Sequence, residues 1–489
     1  LQYILYTAGV AIHNIYFHPL SKFPGPACRA AFHLPGIWEM WSGWSVQNIY
    51  ALHEKYGNVV RIAPDALSFN TAPAWKDIYG FQQDKKQIEK DYKRFPDVPD
   101  PLPILTSNDT DHARMRRLVS HAFSENAIQE LLPLIATYID ELVNQIQTLI
   151  ADVDHTVVDM NKCFNCLSFD IVSGLSFGEA VGALKGDYSY IETFFASCKL
   201  YPIIPTAYEY SAVKMALDFM MMIPKFRKTH EMGYLATKAK VERRMEHEVS
   251  KYRDFMTYIL RHNDERGMTK SEITGSTTVL VNAGGEATAA CMAAAIYYLL
   301  RNPDCMEKLV KEVREAYCNR NDITARPLHL VYLNAVVEEV LRIYPPTPGL
   351  FSRRTGVGGK NIDGYFVPPN TSLGVHPYSA NHSSANFTNP QKFVPERWLP
   401  IPPSEYSYDI RDARQPWSTG PRNCIGRSLA YLEIRTSLAS VLWSFDMMLC
   451  EESREWASEQ RYNIVWNRPE LKVKLSRRRS IDCNTMNPS

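Results

Sequence analysis

The chain has 489 residues, of which 45% are hydrophobic and 22% are charged, as in an ordinary globular protein. Its formal net charge of +1 gives no electrostatic basis for binding nucleic acid, so we expect no nucleic-acid partner. The ten cysteines follow no repeating spacing, which argues against a disulfide scaffold and is typical of a reducing compartment.

An apolar run and a proline-rich segment come first. Residues 1–12 carry no charge, and the run is about half of the ~20 residues that a bilayer-spanning helix needs. We predict that residues 1–17 are the C-terminal part of a membrane helix that begins upstream; a buried N-terminal strand or helix is the alternative. Pro19, Pro24 and Pro26 interrupt any helix, so residues 18–27 are predicted to form a stiff hinge.

The pattern that follows predicts one large, mainly α domain with a minor β part. Residues 58–70 alternate in polarity and predict a hairpin, and helical spacing of apolar residues dominates from about 110 to 320. Strand-like pieces return over 351–376, a helix over 426–445 and one strand from 470. Because no repeat or low-complexity linker divides this body, residues 28–475 are predicted to form one domain, followed by a disordered tail over 476–489.

The strongest local signal is the loop WSTGPRNCIGR, which precedes an amphipathic helix. Cys424 lies just before the helix N-terminus, whose N–H groups and dipole favour an iron-binding thiolate over a thiol. Gly420 and Gly426 permit tight turns and the close approach of a flat macrocycle. Arg422 can pair with a haem propionate, and Trp417 can cover the sulfur. A buried structural cysteine is the alternative, whereas zinc would need a second ligand at suitable spacing.

With this loop, the sequence resembles the cytochrome P-450 superfamily over essentially the whole chain. The segments HPLSKFPGP and HARMRRLVSHAFS are similar to membrane-bound enzymes of filamentous fungi, many of which act in secondary metabolism. The resemblance implies a single haem domain in which Cys424 is the axial ligand of the iron of haem b. It also implies an endoplasmic reticulum membrane location, with the catalytic domain facing the cytosol.

An acid and two arginines match a structural network of that family. Glu339 and Arg342 are three residues apart on an otherwise apolar predicted helix face, which indicates burial. A buried pair needs further partners. The resemblance implies that Arg397 completes the network and that the network holds the cysteine loop.

Three further basic side chains match propionate-binding positions. His112 and Arg116 lie four residues apart on one helical face, and His112 replaces the tryptophan usual in the family. Arg353 matches another propionate-binding arginine, although the adjacent Arg354 leaves the register open.

The long helix predicted over 271–300 carries the sequence AGGEAT. The resemblance assigns Gly284 to a groove over the iron, and Glu286 and a following alcohol, for which Thr288 is the nearest candidate here, to the organisation of water and protons. The family's alcohol position is Ala287 here, and Thr288 lies about 100° further round the helix. Protons therefore arrive through water, Glu286 or a substrate hydroxyl, or the reaction is not a plain hydroxylation.

The resemblance implies a monooxygenase that uses O2 to oxidise a lipophilic small molecule, a secondary-metabolite intermediate. The chain has no strand–GxGxxG–helix unit, so electrons from NADPH are expected through a separate flavoprotein reductase, with cytochrome b5 as a second candidate partner. Alternatives are a haem-thiolate peroxygenase, dehydratase, isomerase or C–C bond-forming enzyme, and a non-catalytic haem-binding or membrane scaffold. By family position the substrate pocket comprises residues 98–106, 192–225, 279–288, 346–351 and 462–466, while the apolar run 219–226 is predicted to touch the membrane.

Overall fold

The computed structural model describes residues 1–82, 87–94, 103–150, 156–223, 237–246, 254–263, 267–325 and 329–478. Helices predominate. Up to residue 246 they are α1 Gln2–Ile12, α2 Ala27–Ala31, α3 Leu34–Ser42, α4 Ser45–Tyr56, α5 Ala72–Tyr79, α6 Asp109–Ser120, α7 Glu125–Leu149, α8 Met160–Phe177, α9 Ser189–Lys199, α10 Ile203–Glu209, α11 Ser211–Met222 and α12, described over 237–246. Beyond it they are α13 Phe255–Arg261, α14 Lys270–Arg301, α15 Pro303–Ala316, α16 Arg320–Ala325, α17 Val331–Ile343, α18 Pro377–His382 and α19 Arg427–Ser444.

The strands form small sheets at the margins of the helical body. They are β1 Val59–Ala63, β2 Ala66–Phe69, β3 Glu89–Lys90, β4 Thr156–Asp159, β5 Arg353–Arg354, β6 Lys360–Ile362, β7 Tyr365–Val367, β8 Ser372–Val375, β9 Phe445–Leu449, β10 Arg461–Asn463, β11 Val465–Asn467 and β12 Lys472–Arg477. The largest sheet has the order β1-β2-β8-β5-β3, and a second has the order β4-β12-β9. The pairs β6-β7 and β10-β11 are separate hairpins.

The central element is α14, which packs along α8. A capping box stabilises the N-terminus of α14, because the Thr269 hydroxyl accepts a hydrogen bond from the Glu272 N–H and the Glu272 carboxylate accepts one from the Thr269 N–H. Its second half is a run of fully buried small residues that allows neighbouring helices to approach closely: Ala289, Ala290, Ala293, Ala294 and Ala295. Of the described helices, α14 alone is long and apolar enough to cross a bilayer, but most of that window is buried inside the protein.

The mainly α architecture with a minor β part is confirmed, as are the hairpin β1-β2, helix α19 and the late strand β12. Among the described residues, helix dominates 110–320 as predicted. The exception is β4, which pairs with β12 some 300 residues later in the chain. Strand β12 continues to Arg477, two residues beyond the predicted domain end. The rest of the predicted tail, from 479, lies outside the described residues.

Most residues of the N-terminal helix are exposed. Helix α1 continues into a π-helical turn, His13–Phe17, and neither contains a buried residue. The alternative of a buried N-terminal element is therefore wrong. An exposed apolar helix is compatible with a membrane anchor.

Three buried histidines lie together where α4 meets α18, and we call His53, His376 and His382 the histidine cluster. Burial lowers the pKa of His53 to about 4 and that of His382 to about 3. Burial, with the neighbouring histidines next in effect, lowers the pKa of His376 well below its usual range. The cluster is therefore neutral in the folded protein near pH 7.

Candidate functional site: the cysteine loop and its surroundings

The loop before α19 holds Cys424 at an accessible position close to a helix N-terminus. The Cys424 N–H donates to the Trp417 carbonyl oxygen at 2.8 Å, which closes the loop on itself. Gly426 is the N-cap of α19. Although the Cys424 side chain is exposed to solvent, the protein packed around it desolvates the thiol and raises its pKa, whereas the Gly426 N–H, Arg116 and Arg427 lower it. These three groups would each stabilise a thiolate bound to a metal.

The backbone requires glycine at only one of the two glycine positions of the loop. Gly420 has φ +76°, and a Cβ there would overlap the Tyr79 carbonyl oxygen, so only glycine fits. Gly426 has an ordinary φ of −82°, and a Cβ there would make only van der Waals contacts with Phe123 and the Cys424 sulfur. The turn expected at Gly426 is present at residues 425–426, but its φ does not require glycine. Its predicted use, the close approach of a macrocycle, stays a prediction.

Trp417 ties the loop to the helices behind it. Its indole N–H donates to the Tyr431 hydroxyl at 3.1 Å, and the Tyr431 hydroxyl donates to Glu338 on α17. Arg414 pairs with the same carboxylate. Glu338 was not predicted from the sequence, because its partners come from segments 76 and 93 residues away.

Three of the predicted propionate-binding side chains meet beside the cysteine loop. Arg116 donates to the Asn423 carbonyl and side-chain oxygens, each at 2.6 Å. Arg422 pairs with Asp109 at 2.8 Å, but its buried Nη1 has no partner among the described residues. Burial, Arg422 and Arg116 together lower the pKa of His112 to about 3.

Two cations from the large sheet extend this group. Arg353 is buried, and both burial and Arg422 lower its pKa. Lys90, on the neighbouring strand β3, was not predicted; burial, Arg422 and Arg353 lower its pKa to about 7. The adjacent Arg354 instead pairs with Asp65 and Asp91, so Arg353 is the one that faces the group.

We call Lys90, His112, Arg116, Arg353 and Arg422 the basic cluster. Among the described residues, Asp109 is the one acid that raises the pKa of several members of the cluster, namely Lys90, His112 and Arg353. Like charges held this closely in a buried place disfavour one another and require an anionic partner. The two propionates of a haem fit that requirement, and Cys424 supplies the ligand type that its iron takes. The residues present therefore fit a thiolate-ligated haem.

The predicted acid–arginine network is present and fully buried. Glu339 accepts from Arg342 at 2.7 and 2.9 Å, and Arg397 Nε lies 3.2 Å from Glu339 Oε2. Arg342 also donates to three backbone carbonyls, and Arg397 pairs with Asp409. Because Glu338 and Glu339 are neighbours on α17, one helix contacts both the 395–414 segment and the tryptophan side of the cysteine loop. That this network holds the loop stays a prediction.

The middle of α14 presents a face that its neighbours do not cover. Ala283 is exposed and Leu280, Gly284 and Ala287 are partly exposed, and we call these four the accessible stripe. A Cβ on Gly284 would lie 2.8 Å from a methyl group of Val172. The packing of α8 thus explains this glycine, and its predicted groove over the iron stays a prediction.

The two polar residues predicted to handle protons are both off the accessible stripe. Thr288 is buried, so its hydroxyl does not replace the one missing at Ala287. Glu286 is also buried and forms an ion pair with Arg468, a residue that the sequence analysis did not identify. No local pattern marks Arg468, since 182 residues separate the partners.

The described parts of the predicted substrate pocket include several exposed apolar side chains, among them Leu105, Phe351 and Ile464. Ile464 forms the tip of hairpin β10-β11 and has φ +69°, a strained conformation for a β-branched residue. Residues 98–102 and 224–226 of the predicted pocket and membrane run lie outside the described residues.

Comparison with known proteins gives a consistent family. The family model described as Cytochrome P450 matches residues 30–475. The chain is 39% identical to cytochrome P450 monooxygenase traB of Penicillium crustosum, over 97% of this chain and 95% of that protein. It is 38% identical to cytochrome P450 monooxygenase astA of Talaromyces wortmannii, over 98% and 96% of the two chains. It is 36% identical to cytochrome P450 monooxygenase aclL of Aspergillus oryzae (strain ATCC 42149 / RIB 40), over 96% of each.

Proposed function

Because the chain belongs to the cytochrome P450 family and is a monooxygenase, we propose that it oxidises a lipophilic small molecule, an intermediate of secondary metabolism. The observation that carries this proposal is the position of Cys424 beside the basic cluster, which fits a haem ligated by thiolate. The apolar accessible stripe and the exposed Leu105 and Phe351 favour a lipophilic substrate.

Each part of the site has its own task in this proposal. Cys424 would hold the iron of haem b, and Arg116 and the Gly426 N–H would keep its sulfur a thiolate. The basic cluster would hold the propionates, with Arg422 Nη1 as an available donor. Bound haem would supply O2 activation at iron, driven by two electrons from a partner. The completeness of this set of residues favours catalysis over a haem-binding scaffold.

We assign the electron supply to NADPH through a separate flavoprotein reductase, with cytochrome b5 as a second donor. Support comes from the sequence, which has no dinucleotide-binding strand–GxGxxG–helix unit. Turnover of a panel of lipophilic compounds would be measured with NADPH and reductase, and separately with hydrogen peroxide alone. We expect product only in the first case. Product with peroxide alone would favour a peroxygenase.

Ala287 is the observation that favours the alternative of an atypical reaction. Since Ala287 is partly exposed on the accessible stripe, Ala287→Thr places a hydroxyl on that face. If the enzyme is a plain monooxygenase that compensates through water or substrate, the variant should form the same product. Loss of product with haem retained would favour a dehydratase, isomerase or C–C bond-forming reaction that excludes a hydroxyl there.

We further propose attachment to the endoplasmic reticulum membrane with the catalytic domain in the cytosol. Support comes from the exposed apolar helix α1 and from exposed apolar side chains on neighbouring elements: Trp38, Trp41, Met215, Phe219, Met220 and Met222. The Trp41 indole donates to Thr206 at 3.1 Å, which joins α3 to α10, the helix before α11. Met220→Lys should weaken partitioning into phospholipid vesicles, while Val357→Lys, at an exposed loop position, should not. Equal partitioning of the two variants would refute this contact.

A further inference from the structure

Arg468 uses every edge of its guanidinium within a buried polar site. Its Nε donates to the Asn161 carboxamide oxygen and its Nη2 to the Asn165 carboxamide oxygen, each at 2.8 Å. Its Nη1 donates to the Glu286 carboxylate. The side chains of Arg468 and Glu286 are 1% and 3% exposed. Three elements are joined here: α8 through the asparagines, α14 through Glu286, and the end of hairpin β10-β11 through Arg468.

The ion pair is electrostatically isolated. Besides Arg468, the titratable groups that influence or are influenced by Glu286 are Cys198 on α9, Tyr344 after α17 and Tyr462 on β10. Burial raises the pKa of Cys198 to about 12 and raises the pKa of both tyrosines, so all three are neutral near pH 7. Arg468 is therefore the only charged partner of Glu286 among the described residues.

The charge state of Glu286 follows from its partner. An arginine keeps its proton in a protein, and the two asparagine oxygens carry no net charge, so Glu286 alone can neutralise the buried guanidinium. Burial raises the pKa of Glu286, and Arg468 acts in the opposite direction. Removing Arg468 would leave the effect of burial unopposed, and the carboxylate would take up a proton.

We propose that Arg468 is a positioning residue that holds Glu286 as a carboxylate against Asn161 and Asn165, off the accessible stripe. This rests on the proposed function and on the prediction that α14 forms a groove over the haem iron at Gly284. Ala287 offers no hydroxyl for proton supply, and Glu286 is the acidic group beside it. Arg468 then determines whether Glu286 is a carboxylate, which can accept a proton, or a carboxylic acid, which already holds one. Arg468 directly follows β11, so the hairpin that carries the strained Ile464 also carries this counter-ion.

The test is a set of infrared difference spectra on the holoenzyme. Wild type minus Glu286→Gln should show the loss of carboxylate bands only. Arg468→Met minus Arg468→Met/Glu286→Gln should instead show the loss of a carboxylic-acid C=O band. The difference spectrum of Arg468→Lys minus Arg468→Lys/Glu286→Gln should resemble the wild-type difference spectrum, because lysine restores the positive charge beside Glu286.

Each other outcome overturns the proposal. A carboxylic-acid band for Glu286 in wild type would mean that Arg468 does not keep it ionised, and carboxylate bands in Arg468→Met would mean that another group does. If Arg468→Met fails to fold, the wild-type and Arg468→Lys pairs still decide. Arg454→Met, which removes an exposed partner of Glu451, is the charge control and should leave the spectrum of Glu286 unchanged.

A functional readout accompanies the spectra. With NADPH and reductase, Arg468→Met should release a larger fraction of its electrons as hydrogen peroxide than wild type or Arg454→Met, because the proton supply is misplaced. An unchanged fraction would contradict a role in proton supply. The carbon monoxide spectrum of the same samples reports the haem thiolate separately, so failure of the proposed function is distinguishable from failure of this proposal.

Discussion

Glu339→Gln tests whether the buried network on α17 stabilises the fold as its geometry indicates. The Glu339 carboxylate accepts from Arg342, Arg397, a backbone N–H and an indole N–H. Glutamine keeps the volume but removes the charge and turns one acceptor into a donor. Arg397 retains Asp409, whereas Arg342 retains only backbone carbonyls, so one fully buried guanidinium loses its counter-ion.

Breaking a buried ion pair by removing one partner costs about 3–5 kcal/mol, whereas an exposed pair contributes about 0–1 kcal/mol. The matched control is Glu315→Gln, since Glu315 forms an exposed pair with Lys311 at 3.9 Å. Denaturant unfolding of the holoenzyme, followed by tryptophan fluorescence and by the haem absorbance, gives both free energies. We expect Glu339→Gln to lose about 3–5 kcal/mol and the control less than about 1 kcal/mol. Equal losses would refute the reasoning.

Three further predictions concern pH, the loop and the basic cluster. The histidine cluster has lowered pKa values, so its contribution to the free energy of unfolding is complete above the unfolded pKa of 6.5 and is lost as the pH falls below that value. The loss is up to about 1.4 kcal/mol per pH unit for each histidine. Unfolding midpoints that stay constant from pH 8 to pH 5 would contradict this. Gly420→Ala should destabilise the protein and impair haem retention more than Gly364→Ala. Gly364 shares the positive φ but has open space around it, whereas a Cβ at Gly420 overlaps the Tyr79 carbonyl oxygen. Equal unfolding midpoints for the two variants would refute this clash. Lys90→Met should speed the transfer of haem from this protein to an apoprotein acceptor. The control is Lys311→Met, at an exposed lysine, and equal transfer rates for the two variants would mean that Lys90 does not help to hold the haem.

The parts of this protein that the sequence predicts well are those with local causes. Helix α19 and the cysteine loop are adjacent in the chain, and Glu339 and Arg342 are one helical turn apart, so spacing alone indicates their relation. The hairpin β1-β2 likewise needs only a short turn between its strands.

The parts that sequence reasoning missed depend on contacts between distant segments. Strand β4 has a pattern too short to stand out from the helices around it, and its partner β12 lies near the other end of the chain. Arg468 and Lys90 have no motif around them, and only the packing of α14 and β5 beside them brings them to their partners. At Gly284 the sequence pattern indicates a small residue, and the structure explains it by the approach of Val172.

The central claim is that Cys424 ligates a haem iron as a thiolate. The carbon monoxide difference spectrum of the reduced holoenzyme tests it most directly, with wild type compared to Cys424→Ala. We predict a strongly red-shifted Soret band in wild type that is absent from the variant. A wild-type spectrum without that shift, or the same shifted band in Cys424→Ala, would contradict the account.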